Sequence, residues 1–275
     1  MKHVLEVKNL SVDFRMYQKG LKKQTTQTIK NIDLTIDSGE IVAIIGSSGS
    51  GKSLLAHAIL GILPSNAIVS GEIFYQGSQI TDKSILQLRG KEIALVPQSI
   101  NYFDPLMRVG KQVRNKTVTK ARQREAFARY GLTISDEALY PFQYSGGMAK
   151  RALLSTAVAS GATLIIADEP TPGLSHDLGM EVMANFKELA DEGKSILMIT
   201  HDIDLAGQFA DRIYVFHEGM RIDEIASRDF REGNLTHPYT KALFSALPQN
   251  GFHLPEAETF QFLENINPLM KYPQK

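Results

Sequence analysis

The 275-residue sequence predicts an α/β fold with a mainly parallel core sheet, an antiparallel β subdomain beside it and a helical subdomain inserted into it. Three observations predict it. From residue 41 onward, short apolar runs alternate with stretches of helical period, as in a parallel sheet with crossover helices. The first 36 residues carry alternating strand patterns with no helix between them. Residues 105–143 have few strand signals and many charges, among them Lys111, Arg114, Lys116, Lys120, Arg122 and Arg124, and read as a mainly helical insertion.

The elements follow in order. Residues 4–14 and 28–36 alternate apolar with polar positions (Ile32, Leu34, Ile36), as half-buried antiparallel strands do. The polar stretch 17–27 reads as the loop between them, and Ser38-Gly39 as a turn. Ile41 to Ile45 is a short apolar strand, and residues 53–62 have a helical pattern. Further strands are expected at 71–75, 93–96, 163–167, 195–199, 213–216 and 220–225, and further helices at 147–159, 178–192 and 203–210. From about residue 249 the chain is rich in Pro and aromatics and poorly periodic.

Between the strand at 41–45 and its helix stand Gly46, Ser47, Ser48, Gly49, Ser50, Gly51, Lys52 and Ser53, a complete GxxxxGK[ST] phosphate-binding loop. The glycines let the backbone wrap a polyphosphate and turn successive N–H groups inward. Lys52 supplies a cation to the outer phosphates, and the Ser53 hydroxyl is suited to Mg²⁺. The strand before and the helix after place the anion at a helix N-terminus, where dipole and free amides favour it. The core is therefore expected to be that of a P-loop NTPase. Thr163 to Glu169 is an apolar run ending in two acids, as a buried parallel strand presents chemistry at its C-terminal end. Asp168 is placed to orient Mg²⁺, and Glu169 to polarise an attacking water. Tyr144-Ser145-Gly146-Gly147-Met148 precedes another helical run. Ser145 fits an N-cap, and the glycines leave amides accessible for a second anion.

Composition narrows the classes. Lys plus Arg equals Asp plus Glu at 30 each, against the basic excess of a generic nucleic-acid binder. The basic run 111–124 is interrupted by apolar residues at helical spacing and reads as a solvated helix face. With no cysteine there is no disulfide, thiolate metal site or iron–sulfur cluster, and the seven histidines lack metal-ligand spacing. No apolar run approaches the roughly 18 residues of a membrane span, and residues 1–7 lack a signal-peptide stretch.

Gly46–Ser53, Tyr144–Met148, Asp168-Glu169 and Ile199-Thr200-His201-Asp202, in this order and spacing, resemble the nucleotide-binding subunit of ABC transporters. The resemblance spans residues 3–248, with a helical subdomain at about 99–158 and a C-terminal extension at 249–275. It implies that Phe14 stacks on adenine, that Gln98 reaches Mg²⁺ and the attacking water, and that His201 contacts the γ-phosphate. With Glu169 as general base, ATP and Mg²⁺ are the implied cofactors. It also implies a head-to-tail dimer in which Ser145, Gly146 and Gly147 face the ATP of the other subunit.

Met148, Phe103 to Gly110 and His237 to Leu243 are similar to segments of the oligopeptide/dipeptide/nickel importer group. That group implies an ATPase subunit at the cytoplasmic face of the membrane. Its partners would be a second ATP-binding subunit, two membrane permease subunits and, indirectly, an external substrate-binding protein, with no nucleic acid. Residues around 98–110 are the expected permease contact. Ser175 stands where relatives usually have Asp, a hint that the second subunit is a different chain. The transported substrate stays open among nickel, metal chelates and di- or oligopeptides, with the short insertion leaning towards nickel. The rival classes are a soluble ABC ATPase acting on DNA or the ribosome and a P-loop small-molecule kinase. The first usually has long coiled coils or tandem nucleotide domains, absent here, and the second has no role for the Ser-Gly-Gly segment.

Overall fold

The computed structural model describes residues 3–17, 23–114, 118–247, 250 and 262. The extension expected at 249–275 lies outside the described residues except for positions 250 and 262. Strands β1 (Leu5–Tyr17), β2 (Lys23–Ile36), β4 (Ala67–Tyr75) and β5 (Ser78–Gln79) form an antiparallel sheet in the order β2-β1-β4-β5. Strands β3 (Ile41–Gly46), β6 (Ile93–Val96), β7 (Leu164–Asp168), β8 (Ser195–Ile199), β9 (Arg212–His217) and β10 (Met220–Ala226) form the second sheet. Its order is β10-β9-β3-β8-β7-β6, parallel throughout except for β10.

One expectation is corrected. Residues 23–27 are strand, not loop: Asp13 pairs with Gln27, Phe14 with Thr26 and Met16 with Gln24. The stretch is polar because residues 24–27 are exposed, while Thr25 and Thr26 keep the β-branched preference for an extended backbone. Residues 18–22 of the expected loop lie outside the described residues.

The parallel strands are apolar on both faces because two cores meet at them. Along β3, Ile41, Ala43 and Ile45 enter one core, while Val42 and Ile44 enter the other. β7 divides alike, Ile165 and Ala167 against Leu164 and Ile166. The first core is closed by helices α5 (Gly146–Ser160), α6 (His176–Asp191) and α7 (Ile203–Phe209), and the second by the antiparallel sheet and α1 (Lys52–Ile59). Each fully buried Ile or Leu here is worth roughly 1.5–3 kcal/mol.

The region 105–143 is helical in short pieces. α3 (Val109–Val113) and α4 (Lys120–Arg129) pack Val109, Val113 and Phe127 into the first core. Lys111, Lys120 and Arg122 are exposed, and Arg124 pairs with Glu137 at 2.7 Å. Helices α2 (Asp82–Leu88) and α8 (Ser227–Glu232) were not legible in the sequence. α2 buries only Ile85, so it shows no apolar stripe, and a Thr81–Ser84 capping box starts it. α9 (Pro238–Ser245) opens on proline, whose missing N–H costs nothing in a first turn.

Arg212 joins the two sheets. Its guanidinium grips Glu40 with two bonds (2.9 and 3.0 Å), donates to the Thr35 carbonyl at 2.8 Å and reaches Glu224 at 2.7 Å. The planar fork fits a carboxylate as a lysine cannot. Arg212→Lys is therefore expected to lower stability by about 1–3 kcal/mol, the worth of charged hydrogen bonds. Urea unfolding that matches wild type would refute this role.

Candidate functional site

Four neighbouring parallel strands, β3, β8, β7 and β6, end on the same side, and the loops after them carry the predicted residues. Gly46 to Ser53 leaves β3 for α1, Gln98 follows β6, Asp168 ends β7 with Glu169 next after it, and His201 follows β8. A cleft of about 590 Å³ is lined by Ser48, Gly49, Gly51, Lys52, Ser53 and Leu54 together with Gln98, Glu169 and His201.

The loop has little freedom to vary. Gly46 sits at φ 152°, and a Cβ there would lie 2.1 Å from the Phe216 carbonyl oxygen. Gly51 caps α1 in the left-handed region at φ 95°, and α1 has no acid in its first turn. Its amide end therefore stays free for an anion. Lys52 is buried and folded over the loop, donating to the carbonyls of Gly46 (2.8 Å) and Ser47 (2.9 Å). Burial pulls its ammonium below the usual lysine range, against the opposing pull of Glu169 and Asp168.

Ser53 Oγ donates to Asp168 Oδ1 at 3.0 Å. Asp168 is 7% exposed, and burial raises its carboxyl above the usual range while the Ser53 bond works against this. Glu169 takes φ 50°, a conformation that costs a residue with a Cβ roughly 1–2 kcal/mol. Its N–H donates to the Ile199 carbonyl at 2.8 Å. Its Oε2 meets His201 Nδ1 at 2.8 Å and accepts from the His201 N–H at 3.4 Å. The general-base candidate and the histidine candidate are thus one bonded pair.

Not every predicted residue converges. Ser145 caps α5, accepting from the Met148 N–H at 3.3 Å, but it and Gly146 are exposed, and neither they nor Gly147 line the cleft. Phe14 lies on β1, half-buried against the second core and outside the cleft lining. Sequence reasoning missed Lys150. This buried side chain on α5 donates to the carbonyls of Gln98 and Glu169. The signal was present as a lysine among the buried, mostly Ala and Leu, positions of a helix, but nothing in the sequence gave its partners.

A Mg²⁺ ion takes one or two carboxylates and fills its other positions with phosphate and water oxygens. Ser53 and Asp168, already in contact beside the phosphate loop, suit that donor set. Among the described residues no group of three or more His, Asp or Glu is close enough to hold a metal by itself. Among them, too, no helix is long and apolar enough to cross a membrane.

The family model described as ABC transporter matches residues 29–172. A dipeptide transport ATP-binding protein of Lactococcus lactis subsp. cremoris is 34% identical over 263 residues, 89% of this chain and 74% of that protein. An oligopeptide transport ATP-binding protein of Bacillus subtilis is 32% identical, over 89% of this chain and 72% of its own length. Among solved structures, a dimeric bacterial ABC transporter cassette superposes with a TM-score of 0.71 at 28% identity, covering 82% of this chain and 99% of that one. A dimeric ATP-binding cassette in a post-hydrolysis state with ADP and phosphate gives 0.70 at 27%, with the same coverage.

Gly46→Ala tests the loop. The added Cβ collides with the Phe216 carbonyl, so the loop must shift and its amides lose their common focus. MgATP at 100 times its dissociation constant should stabilise wild type by about 2.7 kcal/mol and this variant hardly at all. An equal rise in Tm for both proteins would contradict the loop's role.

Proposed function

Because this chain belongs to the ABC transporter family, we propose that it is the ATP-hydrolysing subunit of an importer for di- or oligopeptides, seated peripherally at the cytoplasmic face of a membrane. The observation that carries this is the shared cleft of phosphate loop, Gln98, Glu169 and His201. The peptide-transport relatives favour peptides over nickel or metal chelates, the arm towards which the short insertion leaned. Neither DNA nor the ribosome is favoured by any feature of the cleft.

Lys52 gives up the Gly46 and Ser47 carbonyls for the β- and γ-phosphates, while the amides of Gly49 to Ser53 wrap them. The half-buried ring of Phe14 is assigned to the adenine. Ser53, Asp168 and Gln98 are the residues that would hold Mg²⁺, which supplies charge neutralisation on the phosphates when bound. Glu169 accepts a proton from the water that adds to the γ-phosphorus as ADP departs. His201, 61% exposed, steadies Glu169 through Nδ1 and stays within reach of the γ-phosphate. The gain comes from positioning and electrostatics.

Ser145, Gly146 and Gly147 lie outside the cleft, the first two exposed and Gly147 half-buried, which supports their facing ATP held by a second ATP-binding subunit packed head-to-tail. Ser175 caps α6 by accepting from the Leu178 N–H at 3.5 Å. It keeps the capping duty of the usual Asp and drops its charge, which supports a partner that is a different chain. Residues 98–110 are assigned to contact with a membrane permease, one of two permease subunits in the transporter, with an external substrate-binding protein reached only through them. There Tyr102 and Leu106 are 57% and 87% exposed. Gln112 holds the segment out by bonding the Asp104 N–H (2.7 Å) and the Asp104 and Met107 carbonyls (2.8 and 2.7 Å).

Glu169→Gln should retain ATP binding and lower hydrolysis at least a hundredfold, within the range by which general base catalysis contributes (about 10²–10⁴). Cells carrying it should lose uptake of a labelled dipeptide and keep uptake of labelled nickel. Loss of nickel uptake alone would move the assignment to metal chelates, and loss of neither would sink the transport reading. Leu106→Glu should leave the ATPase rate of the isolated subunit unchanged while lowering peptide uptake at least fivefold. Undiminished uptake would remove this segment from the permease interface.

A further inference from the structure

We propose that Lys150 is a positioning residue for hydrolysis, holding the backbone at Gln98 and Glu169 in register from the helix that presents Ser145, Gly146 and Gly147. The proposal rests on the ATPase reading above and adds to it a residue and a route.

Lys150 Nζ donates to the Gln98 carbonyl and, at 3.2 Å, to the Glu169 carbonyl. The two loops it joins follow β6 and β7, and both line the cleft. Glu169 is held on its other side by the bond from its N–H to the Ile199 carbonyl at 2.8 Å. The residue with the costly left-handed backbone is therefore fixed by β8 on one side and α5 on the other. Turning the peptide that Lys150 holds would carry the Glu169 carboxylate away from His201, its partner at 2.8 Å.

Packing does not account for a lysine here. The side chain is 9% exposed, and its neighbours on the buried face of α5 include Ala149, Ala152, Leu153 and Leu154. A methionine would fill the space without the cost of burying an ammonium. Burial lowers the Lys150 ammonium below its usual range, and only the nearby Glu169 and Asp168 oppose this. What the lysine supplies is donors to two carbonyls. Gly146 and Lys150 are four residues apart, so they lie one turn apart along α5. A phosphate drawn onto the exposed end of α5 would shift that helix, and Lys150 would pass the shift to the backbone at Gln98 and Glu169.

The test uses the assembled transporter with wild type, Lys150→Met, Lys150→Gln and Glu169→Gln subunits, measuring ATPase kinetics and Tm. Lys150→Met should lower kcat at least tenfold with KM for ATP within twofold of wild type and Tm not reduced. Lys150→Gln, whose amide still donates, should recover at least a third of the wild-type kcat. A Lys150→Met kcat within twofold of wild type overturns the proposal. So does equal impairment of the two variants, a change in KM with kcat intact, or failure of both to assemble. An active Glu169→Gln complex would instead overturn the ATPase reading, and it is scored separately from the Lys150 pair.

Discussion

The parallel sheet buried on both faces is the constraint on which everything else depends. Ile41 to Gly46 has no exposed position, and alternate side chains enter separate cores. Such a sheet cannot display polar chemistry along its strands, because an unpartnered polar group there would be left dry. Chemistry is confined to the strand ends. Since β3, β8, β7 and β6 are adjacent and parallel, their four C-terminal loops meet on one side. The cleft follows from the strand order, and the residue types in those four loops decide what it does.

At and beneath the cleft, buried cations and carboxylates stand side by side before any ligand arrives. Lys52 and Lys150 are two buried cations beside the two carboxylates of Asp168 and Glu169. A polyphosphate adds negative charge to this cluster. It would be met by the amide ends of α1 and α5, neither with an acid in its first turn, although the Met148 N–H of α5 is already capped by Ser145. The first of these ends lines the cleft, and the second faces outward. That division fits the proposed pairing of two subunits around one nucleotide.

Much of this was legible because the signals were local. The Gly46 to Ser53 loop, the acids at the end of β7 and the Ser145 cap are contiguous in sequence, and their backbone roles follow from residue type. The parallel strands were legible as apolar runs with the right length. What was not legible depended on partners distant in the chain. Thr25 and Thr26 read as loop because their strand identity comes from pairing with β1. α2 hid because a helix that buries only Ile85 has no period to read. Lys150 gave no hint of its role because its partners lie 52 and 19 residues away in sequence. Phe14 is half-buried against the second core and outside the lining of the cleft, and its assignment to the adenine rests on the resemblance alone.

The bonds that hold Glu169 come from separate elements of the fold. Glu169 is held by His201, Ile199 and Lys150, which belong to the loop after β8, to β8 and to α5. Each contact is one hydrogen bond or ion pair, individually worth about 0.5–3 kcal/mol. A conformational change follows a ligand only as far as that ligand prefers one state. On the proposed function a γ-phosphate would make that difference, met by Lys52 and the N-terminus of α1 in the cleft and by the α5 of a second subunit from outside. Cleaving it would remove the charge that joined them. On that reading the carboxylate proposed to direct the cleavage is tied through Lys150 to the helix proposed to meet the phosphate, and the chemical step and the release of the interface would act through the same few bonds.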